Sequence, residues 1–306
     1  MIKYWFIILG FFCVHHAQSQ VLEKHIVNPK DTFYGHYLTI QPVSGKVKSV
    51  LLLMPGFSQK ADNIFVESML PYVAANNDIL TVAVAGDLNL FITPRVQNRI
   101  DTVIQEVLKK YPATKSVDWV MGGFSAGGTI SLRYVEQSKA KPKERLVNFK
   151  GVFAIDSPVD LIDFWNYCDR EIKKNQSPVG VNEAKYIQNL MQRLLGTPKE
   201  NMDIYNEKTP FNIQKKKGNE AHLKDIAVRV YHEIDVAWQL KNRGRSVYDS
   251  NFLNSSLLIN QLNLMGNKQA EFIQSNKKGY RSNGKRHTHS WSIVDEIECI
   301  QWILKI

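Results

Sequence analysis

The sequence predicts an α/β fold, a mostly parallel central sheet with helices on both faces, and three observations carry that expectation. Short apolar runs of strand length recur along the chain. The segments between them have helical length and periodicity. A glycine-flanked serine stands where one apolar run passes into a helix pattern. With 306 residues and 44% hydrophobic content, the chain can bury a substantial core. One large domain over 20–306 with an insertion is more natural than two independent domains. No internal repeat or low-complexity tract is visible.

Residues 1–19 read as a secretory signal. A short positive region at Lys3 is followed by an apolar run over 4–14, and Ala17 and Ser19 offer small residues for cleavage near Gln20. The run falls short of the roughly 20 residues needed to span a bilayer, so no stable membrane insertion is expected once the signal is removed. Cys13 has aromatic neighbours in place of the small residues of a lipoprotein cleavage box. Only Cys168 and Cys299 then remain, and their separation in the chain leaves open whether they pair.

Residues 48–54, 79–85, 117–121 and 151–156 are apolar runs of the kind expected for strands buried on both faces of a sheet. Amphipathic segments at 61–76, 94–111 and 126–138 separate them as helices. Strands alternating with helices imply right-handed crossovers and a covered parallel sheet. Residues 226–232 form a late β-branched strand, and 293–304 a terminal amphipathic helix. Residues 158–222 interrupt the alternation with aromatics, carboxylates, a helical stretch at 182–195 and a Gly196-Thr197-Pro198 break.

The sequence from Met121 to Thr129 reads Met-Gly-Gly-Phe-Ser-Ala-Gly-Gly-Thr, placing Gly-x-Ser-x-Gly between strand and helix. Gly123 and Gly127 flank Ser125 at the spacing of a sharp turn that lifts the hydroxyl to the sheet rim. Gly122 and Gly127 also have P-loop spacing, with Thr129 in the magnesium place. Gly128 stands where the phosphate-gripping lysine would be, which argues against that reading.

With the motif on that scaffold, the chain resembles the alpha/beta-hydrolase family, through residues 54–59, 121–129, 229–236 and 287–292. The resemblance implies the alpha/beta-hydrolase fold and the chain order nucleophile, acid, histidine. Ser125 is the nucleophile. Asp235, in the turn after the late strand, is the expected acid; Glu233 is a substitute, and Asp156 and Asp160 match a less common variant. His289, followed by Ser-Trp and just ahead of the last helix, is the expected base, with His287 as the alternative. His232 reads as a packed neighbour of the site. The amides of Ala126 and Phe57 are the expected oxyanion donors, the latter from the loop Met54-Pro55-Gly56-Phe57-Ser58-Gln59, with side-chain help open to Ser58 or Gln59. Pro55 has no amide proton to offer. The family's habit of inserting a cap after this strand implies a helical cap at 158–222.

The three residue types are needed together. An imidazole takes the serine's proton near neutral pH, and a carboxylate fixes its tautomer and stabilises the imidazolium. The resemblance implies a carboxylic ester hydrolase working through an acyl-enzyme, and the signal read at 1–19 a secreted or periplasmic one. Peptidase, acyltransferase and non-catalytic binding roles stay open. No metal is implied, because the histidines lack a spacing such as His-Glu-x-x-His, and no organic cofactor. The net charge of +10 points to an acidic partner or anionic surface. No nucleic-acid-binding signature accompanies it. Lys277, Lys278, Arg281, Lys285 and Arg286 lead up to His287 and His289, so a cation beside the cleft would favour a negatively charged small-molecule or polymer-attached ester.

Overall fold

The computed structural model describes residues 20–215 and 217–306. The signal read at 1–19 lies outside the described residues. Eight strands form one sheet in the order β1-β2-β4-β3-β5-β6-β7-β8. Their bounds are β1 Leu22–Ile26, β2 His36–Ile40, β3 Ser49–Met54, β4 Ile79–Val84, β5 Asp118–Phe124, β6 Phe149–Ile155, β7 Ala227–Glu233 and β8 Ala270–Ser275. β1 pairs antiparallel with β2, and β2 with β4. All other pairings are parallel, from β4 through β8.

The helices are α1 Asp62–Glu67, α2 Leu70–Ala75, α3 Pro94–Lys110, α4 Ala126–Ala140, α5 Leu161–Lys174, α6 Pro178–Leu195, α7 Met202–Lys208, α8 Val236–Arg243, α9 Phe252–Leu264 and α10 Glu296–Ile303. The helix expected over 61–76 is two helices. Ser68 adopts an extended backbone between them, and Pro71 in the first turn of α2 suits a start, where no amide is needed.

The apolar runs are continuous because both faces of the sheet are covered. Along β3, Val50, Leu52 and Met54 point to one face, where α3, α4 and α9 contribute Ile100, Ile130 and Leu258. Leu51 and Leu53 point to the other, against Ile64 of α1, Leu70 of α2 and Ile300 of α10. All five β3 side chains are fully buried, each contributing about 1.5–3 kcal/mol relative to exposure. Because the pairings from β4 through β8 are parallel, the carboxyl ends of these strands share one rim of the sheet, which is where the candidate site lies.

Residues 158–222 contain α5, α6 and α7. Leu161, Ala184, Ile187 and Tyr205 from these helices cluster with Leu90, Phe91 and Ala126, so the insertion packs over the carboxyl ends of the strands. Cys168 lies in that cluster and Cys299 in the sheet's second core, both free thiols. No described helix is long and apolar enough to cross a membrane.

Candidate active site

Ser125 links β5 to α4 with φ 54° and ψ −125°. A non-glycine residue with positive φ is strained, and the close packing around it holds it there. A Cβ on Gly123 would lie 2.4 Å from the Gly127 carbonyl carbon, and one on Gly127 would lie 2.3 Å from the Met54 carbonyl oxygen. The Ser125 amide donates to Ile155 O at 2.8 Å, tying the turn to β6. Thr129 donates its hydroxyl to Pro158 O at 2.7 Å, a structural bond. Ser125 occupies the N-cap place of α4 without capping it. Its Oγ instead lies 3.1 Å from Nε2 of His289.

The carboxylate on the other imidazole nitrogen is Asp156. Its Oδ2 lies 2.7 Å from His289 Nδ1. Asp235, the acid expected from sequence, does not reach His289. Its Oδ1 accepts the Trp238 amide at 3.0 Å, capping α8, and its Oδ2 accepts from Arg286 at 3.0 Å. Glu233 is buried and bonded to the Gly279 amide and to Arg286. The guanidinium thus engages both carboxylates at and just after the end of β7. Asp160 caps α5, accepting the amides of Ile162 and Asp163.

Asp156 itself has φ 43°, with its amide donating to Tyr231 O at 2.9 Å and its carbonyl accepting from Asn251 at 2.9 Å. His232 Nδ1 lies 3.0 Å from Asp156 Oδ1, and the His232 ring stacks on Phe272. Burial acts to raise the Asp156 pKa, but the His289 charge and hydrogen bonds from His232 and His289 outweigh it and hold the carboxyl well below the usual range. It is ionised wherever the imidazole can act. Asn251 carried no sequence signal, because only folding brings it to the turn after β6.

His287 takes a different place from His289. Its Nδ1 faces the His289 amide at 3.1 Å and its Nε2 faces Arg243 at 3.2 Å. Burial, then any charge on the neighbouring His289 imidazole and the Arg281 and Arg243 guanidiniums, pushes its pKa down to about 3, so it stays neutral.

Phe57 and Ala126 both border the cavity above Ser125. Among the described residues neither amide donates to a backbone or side-chain acceptor. The turn that presents Phe57 is held by Gln59, whose Oε1 accepts the Gly56 amide at 2.8 Å. The Gln59 carbonyl is thereby occupied within its own turn. The cavity has a volume of about 380 Å³, and Phe164, Tyr167, Val179 and Ile187 of α5 and α6 form one wall.

No protein-family model matches the chain, and no curated protein matches it in sequence. Solved structures do. A substrate-bound Staphylococcus aureus fluorophosphonate-binding serine hydrolase, FphF, superposes with a TM-score of 0.57 at 12% identity, over 93% of this chain and 98% of that one. An esterase from Pyrobaculum calidifontis gives 0.57 at 14% identity, over 93% and 84%. The S-formylglutathione hydrolase FrmB of Staphylococcus aureus gives 0.52 at 10% identity, over 94% and 98%. The chain has the alpha/beta-hydrolase fold. In this alpha/beta-hydrolase fold, the carboxylate that meets the histidine follows the sixth strand in chain order, and the turn after the seventh is engaged by an arginine.

Proposed function

We propose that the protein is a serine hydrolase that cleaves carboxylic esters, with Ser125 as nucleophile, His289 as general base and acid, and Asp156 as the orienting carboxylate. The observation that carries this is the unbroken chain from Ser125 Oγ to His289 Nε2 at 3.1 Å and from His289 Nδ1 to Asp156 at 2.7 Å. Asp156 keeps the proton on Nδ1 and leaves the Nε2 lone pair facing the hydroxyl. Ser125 Oγ attacks the ester carbonyl as its proton passes to His289. The oxyanion meets the Phe57 and Ala126 amides. Collapse expels the alcohol with the proton from His289, and water attacks the acyl-enzyme by the reverse relay.

The fold neighbours support the reaction class, since they include proteins described as serine hydrolases and esterases. A peptidase or acyltransferase would use the same residues. We propose further that α5 to α7 act as a cap excluding water from the cavity, and that the protein is secreted or periplasmic, on the strength of the leader read in its sequence.

The test is fluorophosphonate labelling together with turnover of short-chain aryl esters. Wild type should be labelled at Ser125, and Ser125→Ala should lose label and about six orders of magnitude in turnover. A folded wild type that takes no label would instead point to a non-catalytic binding protein.

A further inference from the structure

Two guanidiniums border the cavity on the histidine side. Arg243, at the end of α8, places Nη1 3.2 Å from His287 Nε2. Arg281 lies over the Phe124 ring with its guanidinium carbon 5.4 Å from the ring centre. Phe124 in turn packs on the His289 ring at 4.4 Å between centroids, and the His287 and His289 rings are 6.3 Å apart. Each arginine is therefore separated from the His289 imidazole by a single ring.

Among the described residues neither arginine pairs with a carboxylate, in contrast to the cations around them. Arg170 and Lys174 hold Asp249, Arg245 holds Glu171, and Arg286 holds Glu233 and Asp235. Glu183 of α6 also borders the cavity, exposed and paired with neither. Burial weakens the hold of both guanidiniums on their protons; Arg245 adds to this at Arg243, while at Arg281 the more distant charges of Glu67 and Asp156 oppose it ahead of the Arg243 charge that adds to it. Both nevertheless remain cations at physiological pH. Two half-buried like charges with no carboxylate in direct contact are unfavourable, and a bound anion would reduce that cost. His287, neutral, accepts from Arg243 without adding charge.

We propose that the substrate carries an anionic group, carboxylate or phosphate, on its leaving alcohol, and that Arg243 and Arg281 bind it. This rests on the hydrolase reading above. His289 must hand its proton to the departing oxygen, so the alcohol leaves beside the imidazole, where both arginines lie. The Ser125 oxygen bonds to the acyl carbon, the ester C–O bond breaks, and the serine's proton ends on the leaving oxygen. The anionic group keeps its charge throughout and needs no co-reactant.

The experiment compares kcat/KM for para-acetoxybenzoate, para-acetoxyphenyl phosphate and neutral para-acetoxybenzamide in wild type, Arg243→Gln and Arg281→Gln. At least one anionic ester should be preferred over the neutral one by about tenfold or more, the scale of charge-assisted hydrogen bonds. The two anionic esters tell a carboxylate site from a phosphate site. Each substitution should collapse the preference, and added salt should narrow it in wild type. Equal turnover of charged and neutral esters, or a preference that survives both substitutions, would overturn the proposal. Should a variant not fold by circular dichroism, inhibition of wild type by benzoate or inorganic phosphate, measured against benzamide, decides the same question: no selective inhibition by either anion overturns it. Ser125 labelling with hydrolysis of the neutral ester alone would remove the anion site and leave the hydrolase standing. No labelling and no turnover of any ester would remove both.

Discussion

β6 and β7 lie side by side and parallel, and both deliver carboxylates to the same rim of the sheet, yet those carboxylates have different fates. Asp156 follows β6 directly and meets two imidazoles, His289 and His232. Glu233 and Asp235, at and after the end of β7, meet the guanidinium of Arg286. Strand position does not separate them, because each stands where a carboxylate could face a histidine loop. The cation opposite separates them. Arg286 lies three residues before His289 and engages the β7 carboxylates, leaving the imidazole to the carboxylate of the neighbouring strand.

Asp156→Asn would break this contrast most sharply. If Asp156 orients the imidazole, turnover should fall by about four orders of magnitude with the fold intact by circular dichroism. A loss of that size in Asp235→Asn, with Asp156→Asn mild, would return the role to the later strand.

Asp160 sharpens the comparison from the opposite side, as a carboxylate with no cation in hydrogen-bond reach. Burial outweighs the Asp163 and Ile162 amides and raises its pKa to about 6. A folded pKa above the unfolded one means stability present below about pH 4 and lost as pH rises toward 6. Asp160→Asn keeps the cap and should remove that decline, worth about 2 kcal/mol in denaturant titrations across the window. Asp156, held low, works in the reverse sense: its contribution is full above about pH 4 and is lost only in stronger acid. The smallest effect is expected for Asp235→Ala. It removes the α8 cap and one of the two carboxylates on Arg286, costing about 1 kcal/mol, or a melting shift of about 2 °C, with turnover little changed.

What the sequence made legible follows from burial. β3, β4, β5, β6 and β7 are covered on both faces and so write themselves as apolar runs. β1 and β8 sit at the edges, where Leu22–Ile26 alternates exposed with half-buried residues and Ala270–Ser275 mixes polar with apolar ones, and neither stood out. β2 is fully buried but carries His36 and Thr39, which bond to Asp62 and to His25 and Tyr111. Ser125 and His289 were readable because each sits in a short stretch whose neighbours announce a turn. The partner carboxylate was one of four candidates, and the choice depended on Arg286, which folding brings to Asp235, and on His232 and Asn251, which folding brings to Asp156.

The loop bearing His289 also has its own closure. The His287 amide and the Arg286 side chain both bond Gly279 O at 2.9 Å, and Arg281 N bonds Lys285 O at 2.9 Å, forming a small hairpin. At its tip Asn283 and Gly284 are exposed, and Gly284 has open space around its α-carbon. Because the two legs are clasped to each other below that tip, residues grafted between Asn283 and Gly284 would lengthen the hairpin outward while the clasp keeps the imidazole in register. The molecule thus offers a splice point in the hairpin that leads into His289, where chain could be added without rebuilding what lies beneath.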